Sequence, residues 1–320
     1  MPESLNAIDG TIEWVAMTQI EVTFLGTTAG VPTHNRNHPA IYVHYQGRHE
    51  EVALFDCGEG TQRQIFAARL NFMRINHIFI THWHADHFAG LLGLLFTMNM
   101  EDRKKPLNIY GPEAEEWVPQ ITNLGYGKLR FPVHIKNVVH EGNQIETLLD
   151  DEEIMVQAIP AKHGVPAVAY AFIEKDRVKV DKTKARALGL PEKGKVFKEL
   201  KEQGAVTWKG KRIVLNDIAV VEKGKKIVYT GDTMPCENVV RLAQDADLLI
   251  HDSTFFEEDK EGEWKHAMFD EVLKVAEHAN AKQLILTHIS RRYQNLEEIE
   301  KKIKDMPHVK LARDMMRVTI

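Results

Sequence analysis

"THWHADHFAG", residues 81–90, sets three histidines and an aspartate within six consecutive positions: His82, His84, Asp86 and His87. The stretch before it, "INHIFI" (75–80), is apolar and β-branched, which is the composition of a buried strand. The stretch after it, "FAGLLGLLFTMNM" (88–100), is apolar and long enough for a helix. The four polar residues therefore sit on a strand-to-helix turn. In an extended chain, residues two apart point to the same side, so His82 and His84 face one point. On a helix they would lie about 200° apart. Asp86 and His87 follow on the turn and face a second point nearby. A single histidine, in a chain with sixteen, is ordinarily a surface group or a hydrogen-bonded core residue. Four such residues at the mouth of an apolar strand need a common partner, and a divalent cation suits imidazole and carboxylate together.

Three further strand-like runs close on a metal-competent residue. "IPAKHGVP" (159–166) ends on His163, "IVYTGDT" (227–233) on Asp232, and "LILTHIS" (284–290) on His288. With the first four they make seven nitrogen and oxygen ligands, too many for one tetrahedral zinc and enough for two ions. A carboxylate can bridge two metals about 3.5–4 Å apart, and Asp232 is the natural bridge. The pattern reads as a dinuclear hydrolytic site.

The bulk properties narrow the class. The chain has 320 residues, 43% apolar and 27% charged, which is enough for a substantial core. No apolar run reaches the roughly 18 residues that span a bilayer, so no membrane association is expected. "MPESLNAIDGTIEWVAMTQIEVTFLG" shows no basic segment followed by an apolar one, as a secretory leader would. The residues before Gln19 carry no periodicity, and Met17 is a candidate start. Two cysteines, Cys57 and Cys236, are too few for a disulfide framework and suit a reducing cytoplasm. Net charge is −5, which excludes a generic nucleic-acid coat, but its distribution is uneven. Residues 174–212 hold thirteen Lys and Arg against six Asp and Glu, a local +7 on a body of −12. Such a segment is either a local contact for a polyanion or a solvated helical face.

Strand-like runs at "QIEVTFLG", "AIYVHY", "EVALFD", "HIFIT", "LNIYG", "EIMVQAIP", "AVAYAFI", "RIVLND", "KIVYTGD", "DLLIHDS" and "QLILTHIS" are interleaved with helix-like segments. The early strands form a meander and the later ones alternate with helices. That order predicts an α/β fold, an αββα four-layer sandwich of two mixed β-sheets packed face to face, over residues 1–320 as a single domain. The basic stretch 174–212 interrupts two strand runs and reads as an inserted arm.

The sequence resembles the short form of the ribonuclease Z family, the tRNA three-prime processing endonucleases of the metallo-β-lactamase superfamily. The likeness runs from about Ile20 to the C-terminus. It is carried by "FLGTTAGVPTHNRN" (24–37), "DCGEGTQRQ" (56–64), "THWHADHFAGLLGLL" (81–95), "YTGDT", "HDSTF" (251–255) and "LTHISRRY" (286–293). The metal motif points to the superfamily, and the flanking motifs narrow it to ribonuclease Z. The resemblance implies two Zn2+ per subunit, with Mn2+ as an alternative occupant. His82, His84 and His163 would hold one ion, Asp86, His87 and His288 the other, and Asp232 would bridge. It implies a water between them as nucleophile, Asp86 orienting it or taking its proton, and His266 in "WKHAMFDE" donating to the leaving oxygen. The alternative for His266 is a surface histidine at a helix start, and Ala267-Met268 follow it where the family has Ser-Thr. His251 is expected to be structural, and Arg292 and Tyr293 to contact the substrate end. The basic arm becomes an exosite for precursor tRNA, used across a homodimer. Gly194-Lys195 stands where the family's arm commonly has Gly-Pro, and Leu92 replaces a frequent proline. A competing function is a phosphodiesterase of the same fold acting on a small ester or cyclic nucleotide, which would need no basic arm.

Overall fold

The computed structural model describes residues 18–125, 127–256 and 266–320. The candidate start Met17 lies outside the described residues. The chain divides into two compact units, residues 18–174 with 225–320, and residues 175–224.

Among the described residues the larger unit carries two seven-stranded sheets. In the first, Gln19–Gly26, Ala40–Gln46 and Glu50–Phe55 form an antiparallel meander, with Arg317–Thr319 outside Gln19–Gly26. His77–Phe79, Leu107–Gly111 and Val133–Asn137 then add in parallel. Parallel neighbours need crossovers, and helices Thr61–Ala67, Leu91–Met100 and Ala114–Thr122 lie in those connections. The second sheet repeats the plan. Glu146–Asp150, Ile154–Pro160, Val168–Glu174 and Lys226–Tyr229 are antiparallel, and Leu248–Asp252, Leu284–Thr287 and Val309–Leu311 are parallel. Helices Glu237–Ala243, Phe269–His278 and Glu297–Ile303 connect them.

Adjacent apolar residues explain the layers. Phe55, Phe79, Tyr170, Tyr229 and Ile250 meet in the core between the sheets. Their sequence neighbours Leu54 and Ile78 pack outward with Leu91, Leu94 and Val118. On the other side Val228 and Leu249 pack outward with Val239, Leu242 and Val272. Strands buried on both faces read as continuous apolar runs, as these do. The αββα sandwich expected from the strand order is present.

Local departures have local causes. Asp86 and His87 lie inside a helical turn, Ala85–Phe88, and not on the turn before it. "RIVLND" is a strand only to Val214, and Leu215–Ile218 is helical. Val133–Asn137 and Glu146–Asp150 escape a sequence reading because each is an outermost strand with no buried residue.

The smaller unit has its own core, built from Ala185, Leu190, Val196, Leu200, Ile213 and Ile218. Helices Lys182–Ala187 and Lys195–Gln203 and the hairpin Ala205–Trp208/Lys211–Val214 surround it. It closes at residue 224 and not at 212, because Ala219–Glu222 returns antiparallel to Arg177–Val180. Gly194, at φ 145°, immediately precedes the second helix. No helix of the described residues is long and apolar enough to cross a membrane.

Candidate metal centre and active site

All seven expected ligands converge at the ends of strands of the larger unit. His82, His84, His163 and Asp232 form one group whose ligand atoms all lie within 4.8 Å of one another. Asp86, His87, Asp232 and His288 form a second. Asp232 belongs to both, with one oxygen turned to each. Its Oδ2 is 3.6 Å from His82 Nε2, and its Oδ1 is 3.3 Å from His87 Nε2 and 3.2 Å from His288 Nε2. In the first group His84 Nδ1 stands 2.9 Å from His82 Nε2 and 3.2 Å from His163 Nε2. In the second Asp86 Oδ2 is 3.5 Å from His87 Nε2 and 3.4 Å from His288 Nε2. His82, His87, His288 and Asp232 are buried and His84 is exposed, so the cluster opens to solvent on the His84 side.

Two backbone features bring the ligands together. Gly231 has φ 57°, and a Cβ there would lie 2.6 Å from Thr81 Cβ. The chain before Asp232 therefore packs directly on the residue before His82. His288 is itself left-handed at φ 58°, a conformation uncommon outside glycine. Thr254 holds it, its hydroxyl lying 2.9 Å from His288 Nδ1 and 3.0 Å from the His288 carbonyl oxygen.

Each buried histidine of the two groups has a fixed partner on its outward nitrogen. Asp56 Oδ2 lies 2.7 Å from His87 Nδ1 and accepts the Tyr229 hydroxyl at 2.8 Å. Asp56 Oδ1 accepts the Thr81 amide at 2.7 Å, and the Thr81 hydroxyl lies 3.1 Å from His82 Nδ1. Such partners select the tautomer that leaves Nε2 to face inward. The Gly30 amide donates to Asp86 Oδ2 at 2.9 Å.

The electrostatics divide the histidines. Burial, reinforced by neighbouring His87, holds His82 well below the usual imidazole range. Burial also opposes charge on His288, yet Asp232, Asp252 and Asp86 push it up to about 10. Burial likewise opposes charge on Asp232, and His288 and His87 overcome it, holding the carboxyl well below its ordinary value. Asp232 Oδ1 is buried and makes no hydrogen bond, although two imidazole nitrogens stand within 3.3 Å. A buried carboxylate oxygen facing converging Nε2 atoms is a donor set that a divalent cation fits.

His266 stands at the edge of this cluster, its ring stacked 5.4 Å from that of His288. Its Nδ1 meets Asp252 Oδ2 at 2.7 Å, and Asp252 Oδ1 accepts the Thr254 hydroxyl at 2.6 Å and its amide at 3.0 Å. Sequence reasoning missed Asp56 and Asp252. Both follow the rule that found Asp232, a polar residue closing an apolar strand run, in "ALFD" and "LLIHD". His251 is buried with Nδ1 2.7 Å from the Asp252 carbonyl oxygen. The Arg292 guanidinium lies over the Phe255 ring, and the Tyr293 hydroxyl accepts the Phe256 amide.

Residues 20–117 match the family described as "Anti-Pycsar protein Apyc1", and residues 212–289 match "Beta-lactamase superfamily domain". The chain is 42% identical over 288 residues to a ribonuclease Z of Thermococcus kodakarensis, covering 89% of this chain and 88% of the relative. It is 41% identical over 307 residues to a ribonuclease Z of Methanothermobacter thermautotrophicus, covering 94% and 97%. The crystal structure of the human short-form tRNase Z superposes with a TM-score of 0.66 at 30% identity, over 93% of this chain and 98% of that one.

Proposed function

Because the chain belongs to the ribonuclease Z family, we infer that its His–Asp cluster cleaves tRNA precursors at their three-prime end. It is a divalent-metal-dependent endoribonuclease of tRNA processing. The finer assignments are proposals. His82, His84 and His163 would hold one Zn2+ and Asp86, His87 and His288 a second, with Asp232 shared by both groups and Mn2+ as the alternative metal. The observation that carries this reading is the Asp232 carboxylate with one oxygen turned to each ligand group. Two cations bound there supply Lewis acidity, neutralising charge on the phosphoryl oxygens and acidifying water.

The chain's own residues do the rest. Asp86, held by the Gly30 amide, orients a water or takes its proton at the solvent-facing side. His266 is held through Nδ1 by Asp252, so its Nε2 is free to donate a proton to the leaving oxygen. The compact unit 175–224 is proposed as the tRNA-binding exosite. Lys182, Lys184, Lys193, Lys195, Lys201, Lys209, Lys211 and Arg212 are exposed on it and make no ion pair among the described residues. Homodimer formation and a cytoplasmic location belong to the same proposal. Sedimentation at micromolar concentration reads the first, and the unbridged Cys57 and Cys236 suit the second.

The test is incubation with labelled precursor tRNA carrying a three-prime trailer, with product ends mapped at single-nucleotide resolution. One cut at the acceptor end is expected. His84→Ala should abolish it while leaving tRNA affinity within threefold. A wild-type protein that hydrolyses a nitrophenyl phosphodiester but leaves the precursor whole would overturn the substrate assignment.

A further inference from the structure

Asp314 lies outside every ligand motif, yet its carboxylate gathers three donors from two separate segments. Oδ1 accepts the Thr27 hydroxyl at 2.7 Å, and Oδ2 accepts the Asn37 amide at 2.7 Å and Gln64 Nε2 at 3.0 Å. Thr27 and Asn37 are the two ends of one loop, and the Thr27 amide also donates to the Asn37 carbonyl at 3.0 Å. Asp314 therefore pins that loop at its neck.

What the loop carries explains why this matters. Near its tip, Gly30 donates its N–H to Asp86 Oδ2 at 2.9 Å, the same oxygen that faces His87 and His288. On its return, the buried Arg36 donates to the carbonyls of Ile289 at 3.0 Å, Ser290 at 3.3 Å and Tyr293 at 3.1 Å. Those carbonyls belong to the segment directly after left-handed His288. Thr28–Ala29 pairs in parallel with Ile289–Ser290, and the Ile289 amide donates to the Thr27 carbonyl at 3.0 Å. One loop thus touches Asp86 directly and fixes the backbone that presents His288. The group of His82, His84 and His163 receives no such contact from it among the hydrogen bonds of the described residues.

We propose that Asp314 is a positioning residue that, through the 27–37 loop, sets the geometry of the Asp86–His87–His288 group and leaves the other group alone. The proposal rests on the two-group reading above, and it makes the two cation sites separable.

Metal-free protein titrated with Co2+ and followed by its visible absorption tests this. Asp314→Ala should weaken one of two Co2+ equivalents at least tenfold and change its absorption bands, with the other within threefold of wild type. On precursor tRNA, kcat should fall at least tenfold with KM within threefold. Asp314→Asn should restore both measurements to within threefold, since its oxygen can accept from Asn37 and Gln64 while its NH2 donates to the Thr27 hydroxyl. If Asp314→Ala does not fold, Thr27→Val combined with Gln64→Leu removes two of the three donors. The same single equivalent should then weaken, by threefold or more. Two wild-type Co2+ equivalents in the variant that folds, or equal weakening of both, overturns the proposal. The titration needs no RNA, so it decides the point whether or not the wild type cleaves precursor tRNA.

Discussion

A histidine that donates a proton needs something behind it to stabilise the imidazolium, and Asp252 stands 2.7 Å behind His266. Removing that charge without changing shape isolates the role. Asp252→Asn should lower kcat on precursor tRNA about 10- to 100-fold, within the span of general acid catalysis. Turnover of a nitrophenyl phosphodiester, whose leaving oxygen needs no proton, should stay within threefold. Equal losses on both substrates would place the role of Asp252 in the metal groups, through His288, instead. Asp314 gives a second test at this scale, read in stability. Burial pushes its carboxyl up to about 6, against the pull of the Asn37 and Thr27 donors and of Arg36. An unfolded aspartate titrates near 3.9, so between about pH 4 and 6 the folded chain keeps a proton that the unfolded chain has lost. Stability from this group is therefore present at low pH and lost as pH rises through 6. Relative to Asp314→Asn, the wild type should lose at most about 3 kcal/mol between pH 4 and 7, measured by urea unfolding of both metal-free proteins. A difference that is flat with pH would mean that the carboxyl titrates like an exposed one. The seven candidate ligands, which the fold brings together, were legible in the sequence because histidines at strand ends are conspicuous. Asp56 and Asp252 close apolar runs as Asp232 does, and they were missed with Asp314 because sequence alone does not say whether a carboxylate will meet a cation, a histidine or a loop.

At the scale of elements, the site depends on how two strand ends cross. The turn after Lys226–Tyr229 comes so close to Thr81 that no side chain fits at Gly231, where the backbone is also left-handed. Gly231→Ala should cost about 2–4 kcal/mol from the steric clash and the positive φ together. That is a fall in melting temperature of several degrees for a chain of this size. Because Asp232 follows directly, metal content should fall with it, and elemental analysis beside the melting curve reads both. A variant that melts with the wild type and keeps its metal would mean that the turn relaxes without cost. The same crossing shows what sequence could tell about the elements. Runs such as "QIEVTFLG" and "LNIYG" were legible because both faces of these strands are buried and the apolar signal is continuous. Val133–Asn137 and Glu146–Asp150 lack that signal, since neither carries a buried residue. Pairing, and not composition, makes them strands.

Over the whole molecule, charge is divided between the two units. Residues 175–224 hold fourteen Lys and Arg against seven Asp and Glu, a net +7, while the chain as a whole carries −5. This asymmetry was legible from the sequence, and only the end of the basic segment was misplaced, because the returning strand is itself nearly uncharged. An acidic catalytic body repels a polyanion, so a basic unit of its own is the simplest way to hold tRNA near it. Arg177 and Glu222 are register partners, so residues 178–221 can be replaced by two glycines without stretching the stem. The shortened protein should keep nitrophenyl phosphodiester turnover within threefold, because the candidate metal ligands all lie in the other unit. Its affinity for precursor tRNA should fall about 100-fold or more at physiological salt. The slope of log affinity against log salt should flatten by roughly 0.7–0.9 for every phosphate contact removed. The slope is the more telling number, because a merely misfolded protein loses affinity through its active fraction and keeps the wild-type slope. A shortened protein that binds with the wild-type slope would move the tRNA contact from this unit to the body, and the exosite assignment would fall.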